Sequence, residues 1–183
     1  LLAAEVKPVI DQWFKDLYSV GEDLHGQKLK DVEFQSKMED LFRKVDLSEL
    51  MKFIDLSGIK ERVDIPANGA YSASFDLSKV EGLPKELNFG RQIFCLQKDR
   101  AVVPHGHSNM CTGFIVLEGA FHGKHYDKLE TGEDHYIIKS TIDDQFGAGG
   151  VSTISDHKDN VHWFRCTSET GFIFNAHFDG YAS

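Results

Sequence analysis

The chain has 183 residues, 41% of them hydrophobic and 27% charged, enough for one domain with a substantial buried core. Its 14 Phe and only 4 Pro exclude a low-complexity or collagen-like chain. The 29 acidic against 20 basic residues leave a formal charge of -9, which repels a phosphate backbone and argues against nucleic acid as a partner. No apolar run approaches the roughly 20 residues that span a bilayer, so a soluble chain without a membrane partner is expected. Cys95, Cys111 and Cys166 are odd in number and lack disulfide-framework or CxxC spacing. Reduced thiols in a cytoplasmic compartment are the expectation. The first residue is Leu1 rather than Met, as in a chain whose N-terminus has been trimmed or processed.

The first third reads as helix. Val6, Val9, Ile10, Trp13, Phe14, Leu17 and Val20 form one apolar stripe, with Gly21 as its stop. A second stripe runs through Phe34, Met38, Leu41, Phe42 and Val45. Asp46 followed by Glu49 has the form of a capping box for a third, short helix carrying Leu47, Leu50, Met51 and Ile54, closed by Gly58. No titratable cluster lies on these apolar faces. They are expected to pack on a core, with a homodimerisation surface as the sharper alternative.

After Pro66 the pattern turns to short β-branched and aromatic runs separated by Gly, Asp and Asn. Strands are expected at 71–77, 89–97, 113–117, 135–139, 150–154, 162–166 and 171–178. Many short strands at this spacing predict a mainly β, antiparallel sandwich or barrel, and no βαβ repeat is present. The domain reading is a helical extension over 1–65 and a β-barrel over 66–183.

Nine histidines are unevenly spread. In Val103-Pro104-His105-Gly106-His107 two imidazoles stand at i and i+2, on one face of an extended segment and within reach of one metal ion. Arg91 lies in Phe89-Gly90-Arg91-Gln92-Ile93-Phe94-Cys95, where positions 89, 91, 93 and 95 share a face and three of them are apolar. That pattern aims a guanidinium at the interior, where it needs an anion: a substrate carboxylate or an internal acid. Cys111 and Thr112 are candidate pocket residues, with a buried, unreactive thiol as the plainer reading of Cys111. His177, in the last strand, and Tyr126 are candidates for moving or donating a proton to bound substrate.

The His105-Gly106-His107 step, with Gly119 twelve residues on, resembles the first motif of the cupin superfamily. The stretch from Ser155 through Asn160-Val161-His162-Trp163-Phe164 resembles its second. The resemblance covers roughly residues 85–180 and implies an antiparallel double-stranded β-helix, the cupin jelly roll. It also implies His162 as a third metal ligand, ahead of His157 in its charged loop. A cupin carboxylate is due at 111 or 112, where this chain has Cys and Thr. The implied site is therefore three histidines with no acid, similar to the thiol dioxygenases, which run likewise into a Gly and a Tyr-Asp (here Gly119 and Tyr126-Asp127). That likeness implies one divalent metal, Fe(II) foremost, with Zn, Ni or Mn also accepted by imidazole, and a small-molecule substrate, conceivably a thiol. Arg91 would be the anion clamp, and Tyr126 or His177 the outer donor. Non-oxidative metal cupins, and cupins that bind a small molecule without turnover, are the alternatives.

Overall fold

The computed structural model describes residues 9–181, so Val6 of the first expected stripe lies outside the described residues. Four helices precede nine strands. Helix α1 (Ile10–His25) buries Trp13, Phe14, Leu17 and Leu24 along one stripe. It runs through Gly21, which is not a stop: the glycine packs against Phe178 and Asn88, and the helix closes at Gly26. Helix α2 (Asp31–Arg43) begins with Asp31 and Glu33, acids placed where the exposed N–H groups favour negative charge. Asp46 caps α3 (Leu47–Phe53) as expected, its carboxylate accepting from Ser48 N–H and Glu49 N–H. Gly58 does not end that helix. Asp55 starts a fourth, α4 (Leu56–Arg62), and its side chain accepts from Gly58 N–H at 3.1 Å.

The strands are β1 (Tyr71–Ala73), β2 (Gly90–Gln97), β3 (Ala101–His105), β4 (Met110–Glu118), β5 (Phe121–Thr131), β6 (Tyr136–Phe146), β7 (Val151–Ile154), β8 (Val161–Cys166) and β9 (Thr170–Asp179). Two of them, β3 and β5, fall outside the runs expected from the sequence. The first carries Pro104, and the second is mostly His, Lys, Asp and Glu, so neither shows an apolar run. All pairings are antiparallel, in one sheet ordered β1-β2-β9-β4-β7 and another ordered β3-β8-β5-β6.

Alternation along the central strands sorts side chains into two cores. On β9, Phe172, Phe174, Ala176 and Phe178 face the helices, where Trp13, Phe14 and Phe42 surround the Phe174 ring at 5.8, 6.4 and 6.0 Å. Ile173 faces the other way and joins Leu96, Phe114, Val116, Phe121, Ile154 and Phe164, drawn from both sheets. The helices therefore cover the outer face of the five-stranded sheet, and their apolar stripes are spent on it. Inside, the two sheets close over a second, smaller core. The fold is a double-stranded β-helix. Among the described residues no helix is long and apolar enough to cross a membrane, and all three cysteines are buried and free.

Candidate metal centre

Three histidines converge at one end of the space between the sheets. His105 ends β3 directly opposite His162 of β8, and His107 follows two residues later. Their ring centroids lie 4.6 to 5.1 Å apart, and their nearest ligand nitrogens all fall within 4.8 Å of one another. These are the three histidines that the sequence reading brought together. His157 is not among them: it is exposed, with its Nδ1 2.8 Å from Asp31 at the start of α2.

The proton positions suit metal binding. His105 Nδ1 lies 2.8 Å from Val103 O and His162 Nδ1 3.3 Å from Asn160 O. A carbonyl only accepts, so each Nδ1 carries the proton and donates, which leaves each Nε2 lone pair free for a metal. Burial pushes His107 down to about 4, with His105 adding to the effect, and holds His162 well below the usual imidazole range. Both are neutral at pH 7, as ligands must be. Imidazole nitrogens gathered this closely, closing by about an ångström to reach the ~2.0–2.1 Å bond length of an imidazole nitrogen, fit a divalent ion.

The loop that carries His107 is clamped by the loop before β8. Asn160, 1% exposed, accepts from His107 N–H at 3.2 Å and donates to His107 O at 3.0 Å and Ser155 O at 3.2 Å. Asp156 accepts from Asn109 N–H at 2.6 Å and Met110 N–H at 3.3 Å. Residues about fifty positions apart thus hold each other, and with them the two segments that carry the three histidines.

The histidines line a cavity of about 360 Å³. Phe94, Val102 and Phe114 form its apolar part, and Gln92, Thr112, Asn175 and His177 form a polar wall. That wall is a connected chain. Ser72 Oγ donates to Gln92 Oε1 (2.7 Å), Gln92 Nε2 to Asn175 Oδ1 (3.3 Å), and Asn175 Nδ2 to Thr112 Oγ1 (2.6 Å). His177 Nδ1 lies 3.3 Å from the same Asn175 oxygen. Gly90 makes room for this ring, because a Cβ there would run into it. Of the two positions where the sequence resemblance implies a carboxylate, Thr112 is the one that points inward. Cys111 points to the helix side, where burial pushes its thiol up to about 12. No carboxylate lines the cavity among the described residues.

Of the other expected site residues, His177 joins the cavity, whereas Tyr126 and Arg91 do not line it. On β2, Gln92 and Phe94 face the cavity and Arg91 faces the helix side, beside the Phe75 ring. The sharing of a face with Phe89, Ile93 and Cys95 holds, but that face looks away from the metal site. On β5 the inward residues are Phe121, Gly123 and His125, which leaves Tyr126 on the opposite face.

Two cavity residues and one buried neighbour of His162 were not singled out from the sequence. Gln92 and Asn175 become legible once the helix-facing residues of β2 and β9 are known, since their neighbours must point the other way. His125 is fully buried beside His162, with ring centroids 6.2 Å apart, and its Nε2 lies 3.0 Å from Ser152 Oγ. Its signal, alternation with Phe121 and Gly123, depends on recognising β5.

No family model and no curated protein match the chain. Among solved structures it is similar to an uncharacterized conserved protein with a double-stranded β-helix domain from Klebsiella pneumoniae, at 12% identity and TM-score 0.44, covering 68% of this chain and 84% of that one. It is similar to an oxalate oxidase in complex with the substrate analogue glycolate, at 15% identity and TM-score 0.45, covering 62% and 53%. It is also similar to procruciferin, an 11S globulin from Brassica napus, at 15% identity and TM-score 0.41, covering 51% and 21%. The chain thus spans about a fifth of the procruciferin chain and about half of the oxalate oxidase chain.

Proposed function

We propose that the chain is a mononuclear metal cupin of the non-haem Fe(II) oxygenase type, acting on a small molecule that offers an anionic donor such as a thiolate. The observation that carries this reading is the candidate ligand set: three histidines at the end of a small cavity that no carboxylate lines among the described residues. When bound, an Fe(II) ion supplies open coordination positions and redox chemistry toward dioxygen. Because His105, His107 and His162 bring no negative charge, the full charge of a divalent cation is left for the substrate to offset. This selects an anionic donor electrostatically.

The rest of the cavity orients such a substrate. Gln92 and Asn175 present amide groups, and the Thr112 hydroxyl is held between Asn175 Nδ2, from which it accepts at 2.6 Å, and Ala176 O, to which it donates at 3.1 Å. Among the described residues, His177 is the one titratable side chain lining the cavity besides His105, His107 and His162. Its Nδ1 faces Asn175 Oδ1, the arrangement by which a proton on that nitrogen is held in place, so His177 is assigned to accept or donate a proton at the substrate. Phe94, Val102 and Phe114 make the remaining wall apolar.

The test is elemental mass spectrometry of freshly purified protein, followed by oxygen uptake with small thiols. Iron near one per chain, with thiol-dependent oxygen consumption, is the expected result. Zinc, nickel or manganese at that level would move the chemistry to a non-oxidative class, and protein that takes up no metal on anaerobic reconstitution would refute the reading.

A further inference from the structure

Arg91 faces a second cavity, on the opposite side of β2 from the histidines. It measures about 410 Å³ and is lined by Leu77, Leu83 and Leu87, with Asp76, Lys85 and Arg91 at its polar side. Arg91 Nε is buried and has no hydrogen-bond partner. The guanidinium's other contacts are one long bond from Nη2 to Phe75 O at 3.5 Å and the Phe75 ring, 5.9 Å from Cζ. Neither brings a negative charge.

The nearest acid, Asp76, is exposed: two hydrogen bonds from Ser78, N–H at 2.8 Å and hydroxyl at 2.5 Å, chiefly hold its carboxyl low, and the Arg91 charge adds to that from a distance, without a hydrogen bond or ion pair between the two among the described residues. Among the described residues Arg91 forms no ion pair with any carboxylate. A guanidinium carries five donors in a planar fork, and burying part of it against neutral groups is costly unless an anion completes it. Three leucines beside it offer an apolar surface of the length of a short carbon chain. Lys85 adds a second positive charge, from an exposed position.

We propose that this cavity is a second binding site, separate from the metal centre, for a small amphiphilic monocarboxylate. The carboxylate sits on the Arg91 fork and the carbon chain lies along Leu77, Leu83 and Leu87. The proposal is independent of which metal the histidines hold, or whether they hold one.

Octanoate, with octanol as the uncharged control, is titrated into the full chain by calorimetry and by amide correlation spectra. Saturable binding of one octanoate per chain is expected, with shifts concentrated at residues 75–91 and octanol binding at least tenfold weaker. Arg91→Met weakens octanoate binding by about tenfold or more, and Arg91→Lys, which keeps the charge but not the fork, falls between. His162→Ala leaves it unchanged. Leu83→Glu, which places a carboxylate at the half-exposed wall of the cavity, abolishes binding and serves if Arg91→Met does not fold. Absence of saturable binding, equal binding of octanol, wild-type affinity in Arg91→Met, or shifts centred on Gln92, Thr112 and His177 would each overturn the proposal.

Discussion

Asn160→Ala separates holding a ligand from being one. The Asn160 side chain makes three hydrogen bonds: one from His107 N–H, one to His107 O and one to Ser155 O. It is almost wholly buried, so its loss strips partners from groups that water reaches poorly. At a net contribution of about 1 kcal/mol per bond, the variant loses about 3 kcal/mol of stability, a large share of the ~5–15 kcal/mol that holds a domain folded. Because two of the three bonds grip the His107 backbone on both sides of its Cα, metal affinity also falls, by about 10- to 100-fold as for other residues that orient a ligand from behind. Urea unfolding of the metal-free protein reads the first effect, and competition against a chromophoric chelator reads the second. Asn160→Asp should be no better, because it keeps the acceptor for His107 N–H but sets a carboxylate against two carbonyl oxygens. Wild-type metal affinity in a variant that has lost stability would show that His107 is positioned by something else, and would refute the reasoning.

His162→Ala removes one of three ligands and should eliminate stoichiometric metal binding while leaving the circular-dichroism spectrum intact. Unchanged metal content would take His162 out of the site. Burial pushes His125 down to about 4, while in the unfolded chain it titrates near 6.5. Between those values the unfolded state takes up a proton that the native state refuses, so stability is unaffected at pH 7. It falls by up to about 3 kcal/mol as pH drops from 6.5 to 4. His125→Leu should remove that share of the acid sensitivity in urea titrations of metal-free protein, and an unchanged pH slope would contradict the assignment. Gly90→Ala drives a methyl group into the His177 ring. It should cost about 1–3 kcal/mol and lower turnover more than metal content. Full activity would remove His177 from the chemistry.

Local patterns were readable without a structure wherever one short segment carries them. The i, i+2 histidines follow from strand alternation alone, the Asp46 cap from its own turn, and the helical stripes from their 3.6-residue period. The chain as a row of residues also fixes that Arg91 shares a face with Phe89, Ile93 and Cys95, but a sheet with apolar packing on both sides has two interiors. Only the helices and the 75–87 segment packed on the outer face of that sheet decide that this face looks away from the metal site. The same ambiguity hid Gln92 and Asn175, and β5 hid His125 because a strand rich in charge shows no apolar run. The Asn160 clamp joins residues fifty apart, and no period or cap encodes such a contact. The sequence by itself determined which residues are able to ligate and which segments alternate. The tertiary structure decided which way each alternating face points, because direction is set by what packs against a strand and not by the strand itself.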